Sequence, residues 1–208
     1  MKRIFVTGIG TEIGKTFCSA IVVEALEADY WKPVQAGELD DLDSLWVRDF
    51  ISNDQSKFHS ESYLLSEPMS PHAAARIDGI EITLDKFKVP KTDNTLIIEG
   101  AGGLMVPLND RGDTILDLIP LVSDEVILIS QNYLGSINHT LLSVEMLKQR
   151  NIPIKGIIFN GDANQETEDI ILSMTGLKCL GKIPMVDSEL KEFIKEQAQK
   201  MRPSLTDG

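Results

Sequence analysis

Short apolar runs alternate with helix-period stretches along most of the 208-residue chain. That rhythm predicts βα units on a parallel sheet with helices on both faces. The runs predict strands at Arg3–Thr7, Tyr30–Val34, Thr95–Glu99, Glu125–Ser130, Ile154–Phe159 and Cys179–Ile183. Several are apolar without alternation, as strands covered on both sides are. Helical spacing predicts Lys15–Glu27, Asp41–Phe50, Pro71–Ile77, Ile115–Leu121, Ser136–Gln149, Glu166–Met174 and Ser188–Gln199. Between Gln35 and Asn94 the rhythm breaks, and only short helical patterns appear among polar residues such as Asp40, Asp41, Asp43, His59, Glu61 and His72. A long excursion at the carboxyl end of a strand is where a doubly wound protein keeps its substrate contacts. The last residues, Arg202–Gly208, read as a frayed tail.

Composition narrows the class. An apolar fraction of 42% with 25% charged residues is that of an ordinary globular chain, and excludes a disordered segment or a coiled coil. The length suits one domain over residues 1–208. Twenty basic against 32 acidic residues leave a net charge of −12, which disfavours nucleic acid or an anionic membrane as partner. A local basic site for a small anion remains compatible with that charge. Cys18 and Cys179 stand far apart, offer no metal spacing and imply a reducing compartment. The opening Met1–Gly8 does not read as a signal peptide, and no apolar run reaches 18 residues. The expected location is the cytoplasm.

The strongest local signal is Thr7-Gly8-Ile9-Gly10-Thr11-Glu12-Ile13-Gly14-Lys15-Thr16, which follows a predicted strand and opens a predicted helix. Glycines there let successive backbone amides turn toward phosphate oxygens, and the helix end adds partial positive charge. Lys15 then reaches the β and γ phosphates and the Thr16 hydroxyl ligates Mg2+. The strict eight-residue pattern asks for glycine where Ile9 stands, so a simple glycine turn is the competing reading. A second signal, Ile97-Ile98-Glu99-Gly100-Ala101-Gly102-Gly103, puts a carboxylate at a buried strand tip, where phosphate-loop enzymes hold their metal. The alternative is a glycine-rich turn whose acid caps backbone amides. The third is Trp31-Lys32-Pro33-Val34-Gln35-Ala36-Gly37: a lysine in a buried strand is costly unless paired, and otherwise snorkels to the edge. Asp40, Asp41 and Asp43 offer a second metal carboxylate, or simply a solvated helix start. These signals predict a P-loop NTPase-type three-layer fold on a mostly parallel sheet of about seven strands.

In order and spacing these motifs resemble the ATP-dependent dethiobiotin synthetases. The resemblance also takes in Pro68-x-x-Pro71-His72-Ala73-Ala74, Leu134-Gly135-x-Ile137-Asn138-His139-Thr140 and Gly181-x-Ile183-Pro184. It implies a homodimer that uses ATP and Mg2+ to close the ureido ring of dethiobiotin from 7,8-diaminopelargonic acid and CO2. Carried onto this chain, it implies that Lys15 and Lys32 bind the γ phosphate and the carbamate, with Thr11 beside the carbamate. Glu12, Ile13, Gly14, Lys15, Thr16 and Phe17 cradle the nucleotide, while Thr16, Asp43 and Glu99 hold the metal. Gly135, Ser136, Ile137 and Asn138 seat the substrate carboxylate from the partner subunit. Asn160 reads the purine, and Pro184 lines it. Two departures stand out: Ala36 where the family often has a hydroxyl, and Met185–Glu189 without the aromatic often found there.

Two other assignments compete. One is an amidoligase-like ATPase acting on a larger carboxylate. The other is a partition or site-selection ATPase, which usually carries a second loop lysine where this chain has Gly10. Among the remaining residues, His72 reads equally as a helix-start packing residue or a substrate neighbour. His139 reads as a plain helix histidine and His59 as a surface one. Cys18 reads as core, and Trp46 and Phe50 as one packed helix face. Three scattered histidines and two lone cysteines argue against zinc.

Overall fold

The computed structural model describes residues 2–186 and 189–206. Its elements are β1 (Arg3–Gly8), α1 (Lys15–Leu26), β2 (Asp29–Trp31), β3 (Val34–Ala36), α2 (Asp43–Phe50), β4 (Phe58–His59), β5 (Tyr63–Leu65) and α3 (Pro71–Ile77). After a 3-10 turn at Leu84–Lys86 come β6 (Leu96–Gly103), α4 (Ile115–Val122), β7 (Glu125–Gln131), α5 (Ser136–Gln149), β8 (Ile154–Asn160), α6 (Gln165–Thr175), β9 (Cys179–Ile183) and α7 (Leu190–Thr206).

Seven strands form one sheet in the order β4-β2-β6-β1-β7-β8-β9, each neighbouring pair parallel. Strand alternation sends Ile4, Val6, Tyr30 and Ile97 to one face, where they pack with α1 and α7. Phe5, Trp31, Leu96 and Ile98 go to the other, against α4 and Leu147 of α5. A third cluster joins Leu128, Ile157 and Phe159 to Val144 of α5 and Ile171 of α6. Fully burying such side chains stabilises by about 1.5–3 kcal/mol each, which is why the central strands carry little but Ile, Leu, Val and Phe. Cys18 lies in the core, as read from its position on α1.

The predicted strand Tyr30–Val34 is two strands. Pro33 supplies no amide for a ladder, so β2 ends at Trp31, and β3 leaves to pair in parallel with β5 as a separate two-stranded sheet. The segment expected to hold only short helical patterns also contains the strands β4 and β5 and most of β3, beside the helix α3, which runs over Pro71–Ile77 as predicted. The second helix starts at Asp43, two residues later than predicted. At the other end, the tail expected to fray is helical as far as Thr206: α7 continues because Met201 and Leu205 are buried against the sheet. The predicted start of that helix, Ser188, lies outside the described residues. His59, read as a surface residue, is half-buried on β4, with its Nε2 3.2 Å from Asp29 Oδ2. Trp46 and Phe50 do share a packed face, their ring centroids 4.7 Å apart.

Candidate active site

The loop after β1 ends at Gly14, whose φ of 79° is left-handed and which begins α1 with no side-chain cap. No acid occupies the first turn of that helix. Its first amides are therefore left for an anion, the arrangement that binds phosphate at helix starts. Glycine is required at this point on two counts. The positive φ disfavours any Cβ, and a Cβ would lie 2.3 Å from Asn160 Nδ2. Asn160, at the end of β8, donates from that Nδ2 to Ile13 O at 2.9 Å and so ties the loop to the sheet.

Lys15 is buried and folds back over its own loop, Nζ donating to Gly10 O at 2.9 Å. Burial pulls its ammonium down from 10.5 to about 8; nearby Lys32 adds to the fall and Glu99 opposes it. Glu99 is 1% exposed in the middle of β6, which runs on to Gly103 beyond the strand end expected at Glu99. Its Oε1 accepts from Thr16 Oγ1 and from Lys32 Nζ, both at 2.8 Å, and its Oε2 accepts from Tyr30 OH at 2.8 Å. Burial alone would raise the Glu99 carboxyl, but the charge of Lys32 and these three donors outweigh it and hold it below its ordinary value. Burial, and then the Glu99 charge, push the Tyr30 phenol well above its ordinary value, so it remains a donor. Lys32 also pairs with Asp43 at the start of α2. The snorkelling alternative for Lys32 is thereby set aside: it is 7% exposed and held between two carboxylates. Asp43 rather than Asp41 makes this contact. The Asp43 amide in turn donates to Gln35 Oε1 at 3.4 Å.

These groups surround a cleft of about 790 Å3, lined by Thr11, Glu12, Gly14, Lys15, Thr16 and Phe17 from the loop and α1. Lys32, Gln35, Ala36, Asp43 and Glu99 line it too, with Pro68–Pro71 across from the loop. Ile13 contributes only backbone, since its side chain is 3% exposed in the core. Gly135, Ile137 and Asn138 do not reach this cleft. They line a separate one of about 660 Å3 with Asn132, Tyr133 and Leu134, and Ser136 is buried behind them. Their helix, α5, also starts at a left-handed glycine, Gly135, without a side-chain cap or an acid in its first turn. Pro184 follows β9 at the same sheet edge, beyond Ile183, whose carbonyl accepts from Gly161 N at 2.8 Å. His72 Nδ1 lies 3.0 Å from Ser70 Oγ, and His139 Nδ1 lies 2.7 Å from Tyr133 OH.

Two contributors escape the motif reading. Tyr30 shares a face with Lys32 by simple strand alternation, which is the signal that points to it. Glu168, 1% exposed on α6, ties two loops to strand β9: its Oε1 accepts from Asn132 Nδ2 at 2.8 Å and Asn164 N at 3.0 Å, while Oε2 lies 2.6 Å from Lys182 Nζ. Nothing in the spacing of those residues foreshadows it.

A parallel sheet with a glycine loop and helix start after β1, and a buried acid on the adjacent β6, defines a nucleotide-binding protein of the P-loop NTPase class. Solved structures agree on the fold. MinD of Aquifex aeolicus superposes with a TM-score of 0.60 at 12% identity, covering 100% of this chain and 98% of that one. A putative plasmid partition protein of Borrelia burgdorferi bound to AMPPNP gives 0.59 at 15%, covering 98% and 96%. The family described as an AAA domain matches residues 2–191. The sequence is 52% identical over 204 residues, 98% of each chain, to the ATP-dependent dethiobiotin synthetase BioD of Christiangramia forsetii. It is 52% identical to that of Cytophaga hutchinsonii, over 97% of each chain, and 44% identical to that of Brucella ovis, over 89% of this chain and 87% of that one. The chain belongs to the ATP-dependent dethiobiotin synthetase family.

Proposed function

We propose that this chain is a dethiobiotin synthase of biotin biosynthesis, an ATP-dependent cyclo-ligase acting on 7,8-diaminopelargonic acid and CO2 with Mg2+ and working as a homodimer. The observation that carries the reading is the meeting of Lys15, Thr16, Lys32, Asp43 and Glu99 in one cleft, in a chain so close to relatives of that name. The chemistry needs little else. One amine takes up CO2 and loses a proton to become a carbamate, whose oxygen displaces ADP from the γ phosphorus. The second amine then attacks the carbonyl carbon and expels inorganic phosphate as the ring closes. Alignment and charge neutralisation are the protein's share of that work.

Lys15 and the uncapped amides of α1 gather phosphate oxygens. Glu12, Ile13, Gly14, Thr16 and Phe17 shape the rest of the nucleotide seat, Ile13 through backbone only. Lys32 stands where the carbamate meets the γ phosphate, with Thr11 beside it. Because Asn160 spends its Nδ2 on Ile13 O, its Oδ1 remains to accept from the amino group of adenine, with Pro184 against the ring. Among the described residues no group of three His, Cys, Asp or Glu is arranged for a metal. Mg2+ keeps several waters and shares phosphate oxygens, so one or two carboxylates and a hydroxyl suffice. Thr16 Oγ1, Asp43 and Glu99 Oε1 form such an all-oxygen set. Bound there, Mg2+ would neutralise phosphate charge.

The substrate carboxylate is assigned to Gly135–Asn138 of the partner subunit. Two features support a second copy: those residues face a separate cleft, and Leu134, Ile137 and Leu142 around them are exposed. The test is phosphate release with ATP, Mg2+ and bicarbonate, with and without the diamine, with mass identification of the product. Diamine-dependent phosphate with the ring-closed mass is expected. ATP turnover at equal rate without the diamine would overturn the substrate assignment.

A further inference from the structure

Glu99 is held by two kinds of partner. Thr16 and Lys32, which donate to Oε1, line the cleft and meet whatever binds there. Tyr30, which donates to Oε2, does not line the cleft: it is fully buried among the side chains that join β2 and β6 to α1. Its register explains the contact. Tyr30 pairs with Ile97 across the β2–β6 ladder, so its long side chain, on the same face as Glu99, reaches the carboxylate two residues further on. The ring is packed as well as bonded, with the Phe58 ring centroid 5.8 Å away. The two oxygens of Glu99 are therefore not interchangeable. A ligand can replace the donors on Oε1, whereas the donor on Oε2 is part of the core and has nowhere to move.

We propose that Tyr30 is a positioning residue whose hydroxyl fixes the plane of the Glu99 carboxylate, so that only Oε1 is offered to the cation at the phosphate loop. The proposal rests on Glu99 serving that cation, and its test needs neither diamine nor turnover. Mn2+ is titrated, by electron paramagnetic resonance, into protein carrying one equivalent of a non-hydrolysable ATP analogue. Partners that orient a ligand from behind cost about 10- to 100-fold in metal affinity when removed. Tyr30→Phe should weaken Mn2+ binding about tenfold, Glu99→Gln at least as much, and the double variant no more than Glu99→Gln alone, because both act through one carboxylate. Tyr30→Phe within twofold of wild type beside a weakened Glu99→Gln overturns the proposal, and so does a double variant that shows the summed loss. An unchanged Glu99→Gln overturns the cation assignment of Glu99 and this proposal with it. Should Tyr30→Phe not fold, wild-type protein labelled with 3-fluorotyrosine answers the same question. The Tyr30 resonance, assigned by elimination with Tyr63→Phe and Tyr133→Phe, should shift when Mg2+ is added to the nucleotide complex; a resonance that stays in place overturns the proposal.

Discussion

Binding of ATP should draw a proton onto Lys15. Burial leaves this ammonium with a pKa of about 8 in the free protein, so at pH 8 about half of the molecules carry a neutral lysine. Phosphate oxygens packed against Nζ favour the charged form and return the group to at least its ordinary 10.5. The difference in occupancy gives an uptake of about 0.1 proton at pH 7, about 0.5 at pH 8 and about 0.9 at pH 9. Since the neutral fraction must be reprotonated before it binds, the apparent affinity should fall about tenfold between pH 7 and pH 9. Stability of the free protein moves the other way. Between about pH 8 and pH 10.5 the unfolded lysine holds more protons than the folded one, so stability rises with pH across that window. Calorimetry of ATP binding at pH 8 and 9, in buffers of different ionisation enthalpy with EDTA present, reads the uptake directly. Above pH 8 the terminal phosphate is already fully ionised and adds nothing. Lys15→Met should abolish the exchange. No proton uptake at pH 8, or the same uptake in Lys15→Met, would refute the argument from burial.

Two further outcomes follow from the buried charges. Lys32→Met leaves Glu99 and Asp43 without their shared counter-charge, and should cost about 3 kcal/mol in urea unfolding as well as all turnover; an unchanged midpoint would show that the pair is not held as described. Burial tends to raise the Glu168 carboxyl, but Lys182, Asn164 and Asn132 hold it below its ordinary 4.5, so its contribution is complete above that value and fades as pH falls through the folded one. Glu168→Gln should therefore lower the melting temperature most at pH 7 and converge with wild type as pH falls through the folded value, whereas a pH-independent difference would count against the ion pair.

What could be read from the chain followed physical regularity. Six apolar runs became strands because buried parallel strands need little but Ile, Leu, Val and Phe. The phosphate loop was legible because its glycines and Lys15 sit at fixed offsets from a strand and a helix. Lys32 announced itself by being a charge in an apolar run. The two-residue β4 and three-residue β5 carry too few positions for any period to show. Pro33 was in plain view, but treating Tyr30–Val34 as one strand overlooked the amide it lacks. The carboxyl-terminal helix runs past its expected end at Gln199 because Met201 and Leu205 are buried in the cluster formed with α1 and β9, which no local pattern shows. Glu168 was invisible for a similar reason: its partners Asn132 and Lys182 are 36 and 14 residues away.

The neighbours at 12–15% identity share the fold, and what a chain does on a shared fold is set by its site. Beside the main sheet lies the small β3–β5 sheet. Its parallel ladder aligns Val34–Ala36 with Tyr63–Leu65 and swings Pro68–Pro71 over the phosphate loop as the far wall of the cleft. Gly37 makes the closure possible. With φ at +73°, it lets Pro68 approach so closely that a Cβ would lie 2.7 Å from the proline Cα. Ala36 sits on that wall, and Gln35 beside it spends its amide inward on Gly37 O at 3.1 Å. The loop side of the cleft thus carries Lys15 and Lys32 with the carboxylates Asp43 and Glu99, while the far wall is mostly apolar. An apolar wall facing a charged one suits a substrate with a hydrocarbon chain and a reacting polar end, so under the proposed function selection among substrates is expected of the segment that breaks the βα rhythm of the sequence.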